Sequence, residues 1–212
     1  MVKYMTAAPK RNRRREAIIN AARQVFFERG YTATSMSSIA ARLGGSKGTL
    51  YNYFGNKEEL FEALVRDFCT RWADRMLEAT LAGYPAESLR TFAEQYLTHL
   101  FSEQGIKLLR ELVAESHRNP QLSRIFYALG PVRGREGLES YLEACRAKGL
   151  INAPDCALAA DEFLALCKSP TYLQLLLNLT SPLTSTEIRA QAVQAVSTFM
   201  RMYGAGTLVP SS

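Results

Sequence analysis

The chain has 212 residues, 47% of them hydrophobic, with 26 basic and 20 acidic side chains and a formal charge of +6. That length can bury a proper core in one large domain or two modest ones. No apolar run approaches the roughly 20 residues that a membrane helix needs, and Met1 to Arg15 has no apolar stretch behind its charge as a secretory signal would, so a soluble cytoplasmic protein is expected.

Charge is unevenly spread. Residues 1–57 hold eleven Lys/Arg against only Glu16 and Glu28, a local +9, while residues 58–212 carry a net −3. A basic excess confined to one quarter points to a polyanionic partner; a solvated, solubilising arm explains the charge alone equally well. Cys69, Cys145, Cys156 and Cys167 sit at no metal-knuckle or redox-pair spacing and fall in apolar helical contexts. They are expected to be reduced and packed as small hydrophobes, with redox sensing the alternative. No metal or other cofactor is expected.

In chain order, almost every segment has helical periodicity and none reads as a strand. Ala17, Ile18, Ala21, Ala22, Val25 and Phe26 form one apolar stripe that Gly30 ends. A short helix follows, with Thr34 as its expected N-cap, Met36, Ile39, Ala40 and Leu43 inward, and Gly44 as terminator. Ser46 caps a third helix expected to run through Tyr53. Asn56 caps a long fourth helix, with Glu59 at capping-box spacing; Leu60, Leu64, Phe68, Trp72 and Met76 lie in one row, and Gly83 and Pro85 break it near Ala82. Further apolar periodic segments lie near 87–101, 106–118, 121–147, 155–179 and 186–203. Gly130-Pro131 implies a kink or split in the third of these, and Thr184 to Glu187 reads as a capping box opening the last. The tail is expected to fray. The expected organisation is a domain over 10–56, a larger helical domain over 57–205 and a flexible tail over 206–212.

Residues 34–53 then hold two short helices joined by Gly44-Gly45 behind a longer packing helix, the plan of a helix-turn-helix unit. Ser46, Lys47 and Thr49 fall in the first turn of the second helix, where free N–H groups favour a phosphate. Gly48 removes a side chain where backbone would approach a duplex. Tyr51, Asn52 and Tyr53 offer hydroxyl and amide groups for phosphates or base edges, and Lys57 offers a further cation. Leu50 and Phe54 have the spacing of core anchors instead.

Phe26-Phe27-Glu28-Arg29-Gly30-Tyr31-Thr32-Ala33-Thr34-Ser35-Met36-Ser37-Ser38-Ile39-Ala40, Ser46 to Phe54 and Asn56-Lys57-Glu58-Glu59-Leu60 resemble the DNA-binding domain of TetR/AcrR-type regulators. The likeness covers roughly residues 12–72. Gly45 departs from it, since many members carry a small aliphatic residue in that turn. The resemblance implies an all-α, two-domain subunit: a three-helix helix-turn-helix domain joined by a long helix to a ligand-binding and dimerisation domain. It implies a homodimer on a partly palindromic double-stranded DNA operator. By position, contacts would come from Thr34 and Ser35, from Ser46, Lys47, Gly48, Thr49, Tyr51, Asn52 and Tyr53, and from Lys57. Arg11, Arg13, Arg14 and Arg15 are either an arm on phosphates or a minor groove, or solvated charge.

Ala114 through Leu122, with Phe126-Tyr127, resembles the AefR-type C-terminal domain of one branch of that family, whose last two helices pair between subunits. Segments 155–168 (Leu158, Phe163, Leu164, Leu166) and 186–203 (Ile188, Val193, Val196, Phe199) are the candidates here, with intramolecular core as the competing explanation. A cavity for a small amphipathic or aromatic effector would be lined by Trp72, Phe92, Tyr96, His99, Phe101, His117, Phe126, Tyr127 and Tyr172, though aromatics at helical spacing are also what a core requires. An enzyme is disfavoured: His99 and His117 are the only histidines and neither sits in a nucleophile or metal pattern. A helical scaffold leaves the basic quarter and the Ser46–Tyr53 chemistry unexplained. A regulator without small-molecule response, or an activator in place of a repressor, stays open.

Overall fold

A computed structural model describes the backbone of residues 7–79 and 84–205 and the side chains of 11–70 and 84–205. Throughout these the chain is helical, and its one non-helical pairing is an isolated antiparallel bridge between Ile151 and Gly204.

α1 (Ala7–Ala33) runs as a helix up to Gly30, whose φ of 77° breaks the ladder where the apolar stripe ends. The arginines at 11, 13, 14 and 15 are helical and exposed on its first turns. α2 (Met36–Leu43) is capped by Ser35, whose hydroxyl accepts from the Ser38 N–H while the Ser38 hydroxyl accepts from the Ser35 N–H. The cap is thus one residue beyond the expected Thr34. Gly44, at φ 67°, closes α2 in the left-handed region. α3 (Lys47–Tyr51) is only five residues long; the N–H groups of Tyr53 and Phe54 both turn back to the Leu50 carbonyl, which ends the helix two residues before the expected Tyr53. α4 (Lys57–Ala79) starts on Asn56, whose side chain accepts from the Glu59 N–H, and the Glu59 carboxylate reaches back to the Gly55 N–H. The side chains of Trp72 and Met76, the expected break at Gly83 and the tail from residue 206 lie outside what is described.

α5 (Pro85–Leu100) and α6 (Glu103–Glu115) follow. The expected split at Gly130-Pro131 is a π-helical turn at Ala128–Val132, joining α7 (Pro120–Tyr127) to α8 (Arg133–Ala147). α9 (Cys156–Leu176) is broken by Ser169, at φ 50°, immediately before Pro170. Proline removes an N–H and pushes its predecessor out of helix, and the Gln191 amide donates to the freed carbonyls of Cys167 and Lys168. α10 (Ser185–Tyr203) opens on the expected Thr184–Glu187 capping box.

Two compact units result. One comprises Met1–Cys69 with Arg110–Phe126, the other Thr70–Leu109 with Tyr127–Ser212. In the first, Phe26, Tyr31 and Phe61 form an aromatic cluster with centroids 5.0–5.7 Å apart, buried with Ile18, Val25, Ile39, Leu50 and Leu64. In the second, α5, α8, α9 and α10 bury Leu89, Phe92, Leu97, Leu142, Phe163 and Phe199. The expected division at 56/57 differs from these units, because α4 contributes Leu60 to Cys69 to the first core and a distant segment from α6 and α7 completes it. Hydrophobic periodicity predicts a helix's buried face, not which unit it joins.

Candidate nucleic-acid interface

α3 is held by two anchors. Leu50 is fully buried and Phe54 nearly so, as their spacing predicts, so the remaining side chains of 46–53 turn outward. Ser46, Lys47, Gly48, Tyr51 and Asn52 are exposed, and Thr49 and Tyr53 are half-buried. Tyr51 keeps 51% of its surface free, leaving a large aromatic ring of the kind that contacts a ligand surface. The Ser46 hydroxyl is committed to its own helix, accepting from the Thr49 N–H at 3.2 Å and lying 3.0 Å from the Thr49 hydroxyl. Ser35 is exposed at the start of α2 and likewise serves as a cap.

Two residues that the resemblance places at the interface are otherwise engaged. Thr34 is buried, and its hydroxyl donates to the Gly30 carbonyl at 2.7 Å, where the left-handed break leaves that oxygen without a helical partner. Its side chain closes the end of α1 and is withdrawn from any duplex. Lys57 is half-buried: its Nζ lies 4.2 Å from the Tyr31 ring centroid and donates to the Tyr31 carbonyl at 2.9 Å. It fastens α4 to α1 and is not a free phosphate contact.

Tyr31 proves to be the hub of this unit, which the sequence does not announce. Its hydroxyl donates to Glu58 at 2.9 Å and its N–H to Glu111 at 2.7 Å, while Thr32 donates to Glu115 at 2.6 Å. Burial, with Glu58 beside it, raises the Tyr31 phenol above its ordinary range. Glu115 is itself buried and also accepts from Asn119 at 3.0 Å. Glu111 and Glu115 sit one helical turn apart, so α6 presents both carboxylates to the turn after Gly30; only their i, i+4 spacing was visible beforehand, and their partners lie some eighty residues away.

The basic excess of this unit is partly consumed internally. Arg23 pairs with Asp67 at 2.7 Å, and Arg42 grips Glu28 through both guanidinium nitrogens. Among the described residues, Lys47 is the one cation of α2, α3 and the first turn of α4 without such a partner. The face carrying α3 is therefore mainly hydroxyl, amide and backbone groups, with Lys47 and the arginines of α1 as its charge.

In the second unit the expected effector-lining residues disperse. Phe92 is core, 6.0 Å from both Tyr96 and Phe163, and Phe101 stacks on Tyr172 at 6.5 Å. His99 is half-buried in the last turn of α5. His117 is exposed and Phe126 half-buried in the first unit, and Tyr127 is 64% exposed, so these three do not join the aromatic cluster. For His117 and Phe126 the reason is the segment 110–126, which belongs to the unit of the helix-turn-helix; Tyr127 belongs to the second unit but points to solvent. Missed by sequence reasoning are Ser88 and Tyr141, whose hydroxyl oxygens are buried; they lie side by side next to the Cys145 thiol, and burial pushes the phenol up to about 12. Of the residues offered for subunit pairing, Phe163 and Phe199 are fully buried and meet edge to face at 5.1 Å, and Val196 is buried with them. Leu158 and Val193 remain exposed.

The cysteines are all free and buried. Burial pushes the Cys69 and Cys167 thiols up to about 12 and raises Cys156, which keeps them protonated and unreactive. Among the described residues no group of histidine, cysteine or carboxylate side chains is placed to hold a metal, and no helix is long and apolar enough to cross a membrane.

Comparison with known proteins agrees with this geometry. Residues 18–64 match the profile of bacterial regulatory proteins of the tetR family, and residues 87–205 match that of the AefR-like transcriptional repressor C-terminal domain. The HTH-type transcriptional regulator UidR of Escherichia coli is 35% identical over 122 residues, 55% of this chain and 57% of that protein; the chain thus matches little more than half the length of this curated relative. Among solved structures, a TetR-family transcriptional regulator of Mesorhizobium loti superposes with a TM-score of 0.84 at 29% identity, covering 91% of this chain and 98% of that one. The flavonoid-responsive regulator FrrA superposes at 0.72 with 34% identity, covering 92% and 100%. A helix-turn-helix anchored by Leu50 and Phe54, followed by a matching C-terminal domain over more than half its length, makes this chain a member of the TetR family of DNA-binding transcriptional regulators, in its AefR-like branch.

Proposed function

We propose that the protein is a repressor that binds a partly palindromic operator as a homodimer and is released by a small aromatic molecule. The observation that carries the DNA half is the outward set of α3: Lys47, Gly48, Tyr51 and Asn52 on a helix whose apolar residues are buried. Such a helix enters the major groove with its N-terminal residues on base edges. Relatives named as repressors, such as AcnR of Corynebacterium glutamicum (34% identical over 74 residues), favour the repressing sense.

Pairing is proposed through α9 and α10. Leu158, Leu173, Leu177, Val193 and Met202 are 48–59% exposed along these helices, and a groove of about 540 Å³ lies between them, floored by Ala165, Leu166, Pro170 and Ala195. Large apolar side chains exposed together mark an interface, and a second copy burying the same patch gives a closed two-fold dimer. For the effector, FrrA is by name flavonoid-responsive, and the second unit here holds an aromatic interior with two buried hydroxyls side by side at Ser88 and Tyr141. An aromatic ligand bearing hydroxyl or carbonyl groups would find both apolar contact and hydrogen-bonding groups there. It acts by binding more tightly to the conformation whose recognition helices no longer match successive major grooves.

One titration tests the reading. Fluorescence anisotropy of a labelled duplex from the DNA flanking its own gene, at several salt concentrations, should show specific binding that weakens steeply with salt and is reversed by a flavonoid. Lys47→Ala and Tyr51→Ala should each weaken that binding about tenfold, in keeping with ~1–3 kcal/mol for a contact of this kind, with the melting temperature unchanged. Normal binding by both variants would refute the placement of the recognition helix.

A further inference from the structure

The turn between α2 and α3 carries two glycines with different reasons for being there. Gly44 has φ 67°, a left-handed backbone that suits glycine. Gly45 is not among the residues at positive φ, so backbone conformation does not demand it, and a side chain is sterically allowed by the chain itself. What a side chain would meet is Arg14: a Cβ at position 45 would lie 3.1 Å from Arg14 Nη2, inside the ~3.5–4.0 Å of ordinary contact. Arg14 is laid across the turn directly ahead of Ser46. Its neighbour Arg15 holds its guanidinium 5.2 Å from the Phe54 centroid. Successive arginines of α1 therefore reach both ends of α3, one at the turn leading in and one at the loop leading out.

The two are not equivalent. Arg15 is occupied on an aromatic face. Arg14 is exposed and has no carboxylate, carbonyl or ring partner among the described residues, while Arg42 and Lys57 nearby in sequence are tied to Glu28 and Tyr31. An unpaired guanidinium at that position is free to grip a phosphate with two N–H groups.

We propose that Arg14 binds a phosphate of the DNA backbone beside α3, and that Gly45 is the residue that makes room for it. This rests on the DNA-binding reading of α2 and α3. It assigns Arg14 to the interface, Arg15 to packing, and gives a physical reason for glycine at a turn position where related proteins carry a small aliphatic residue.

The test uses the full-length protein and a duplex that it enriches from a randomised pool, with anisotropy titrations over a salt series. Arg14→Ala should weaken binding roughly tenfold, as expected for loss of a charge-assisted hydrogen bond, and reduce the salt slope by about one per subunit. Melting temperature and dimerisation should stay unchanged. Gly45→Ala and Gly45→Val, which crowd the guanidinium by increasing amounts, should weaken binding in that order. In the R14A background both should be nearly silent, as coupled residues require. An unchanged salt slope for R14A, or Gly45 variants that lose as much without Arg14 as with it, would overturn the proposal while leaving the DNA-binding reading intact. Failure of the protein to enrich any duplex would overturn both.

Discussion

The two units leave opposite kinds of surface uncovered. In the first, large apolar groups of α1 to α4 are buried and the exposed face around α3 is polar, with Tyr51 as its outward aromatic ring. In the second, the aromatic interior is closed, yet leucines at 158, 173, 177 and 179 stand at 52–72% exposure. A polar face with unpaired cations suits a hydrated polyanion, whose contacts are charge-assisted and salt-sensitive. A leucine-rich face suits a partner that is equally apolar, for which a second copy is the economical choice. The units also differ in how they are fixed. The first relies on polar side chains converging on Tyr31; the second relies on ring packing in its interior, with ion pairs such as Arg135–Glu139 and Arg90–Glu94 on the outer faces of its helices.

That contrast breaks most sharply at the anchors. Leu50→Ala leaves a cavity beneath α3 and should lower stability by about 2–5 kcal/mol, seen as a fall in melting temperature together with loss of operator binding. An unchanged melting temperature would mean that α3 is not anchored as described. Next in size, Leu177→Glu places a charge among the exposed apolar residues of the second unit, at the C-terminal end of α9. Repeated twice across a two-fold interface, it should weaken the dimer by about 2 kcal/mol per copy, read by sedimentation as monomer at concentrations where the parent is paired. Helicity should be retained, since Leu177 is exposed in the subunit. A variant that stays dimeric would move the interface away from α9.

Smaller, and confined to the first unit, is the polar network. Glu115→Ala leaves the Thr32 hydroxyl and the Asn119 amide without their acceptor, at a cost of about 1 kcal/mol, since both donors are partly open to water. Glu115→Gln retains an acceptor and should recover part of that loss. Equal losses for both substitutions would show that the negative charge, not the acceptor, is what the site needs. Lys57→Met sharpens the same point from the other side: it should lower stability by about 1 kcal/mol and leave the salt slope of DNA binding unchanged.

Much of the first unit was legible because its signals are local. Stripe, cap, turn glycine and the Leu50/Phe54 anchors all lie within a few residues of what they act on. Thr34 and Lys57 look polar and available in sequence, but each donates to a carbonyl at the end of α1, Thr34 to that of Gly30 and Lys57 to that of Tyr31. The second unit was less legible. Phe163, Val196 and Phe199 have the same periodicity whether they face their own core or a partner, and only the packing of α5 against α10 decides it. His117 and Phe126 lie apart from the other aromatics because segment 110–126 belongs with residues far earlier in the chain, while Tyr127, just beyond it, is exposed. The break at Ser169-Pro170 was in principle readable, since a proline inside an apolar helix forces one.

The smallest expected effect lies at the start of α10, where local and global reading agree. The Glu187 carboxylate accepts from the Thr184 N–H and hydroxyl, both at 2.7 Å, and these contacts hold its pKa below the ordinary glutamate value. A carboxyl group whose pKa is depressed on folding stabilises the fold above its unfolded pKa, and that contribution disappears as pH falls through the folded one. Glu187 is exposed, so solvent limits the gain. The melting temperature of Glu187→Ala should therefore lie slightly below the parent's near neutral pH, with the gap closing as the solution is acidified through and below the usual carboxylate range. A gap that persists in acid would assign the stabilisation to the Glu187 side chain in its uncharged form, and not to the carboxylate charge. Because α10 also bears the apolar face of the second unit, comparing this cap variant with Leu177→Glu separates what holds the helix from what it presents.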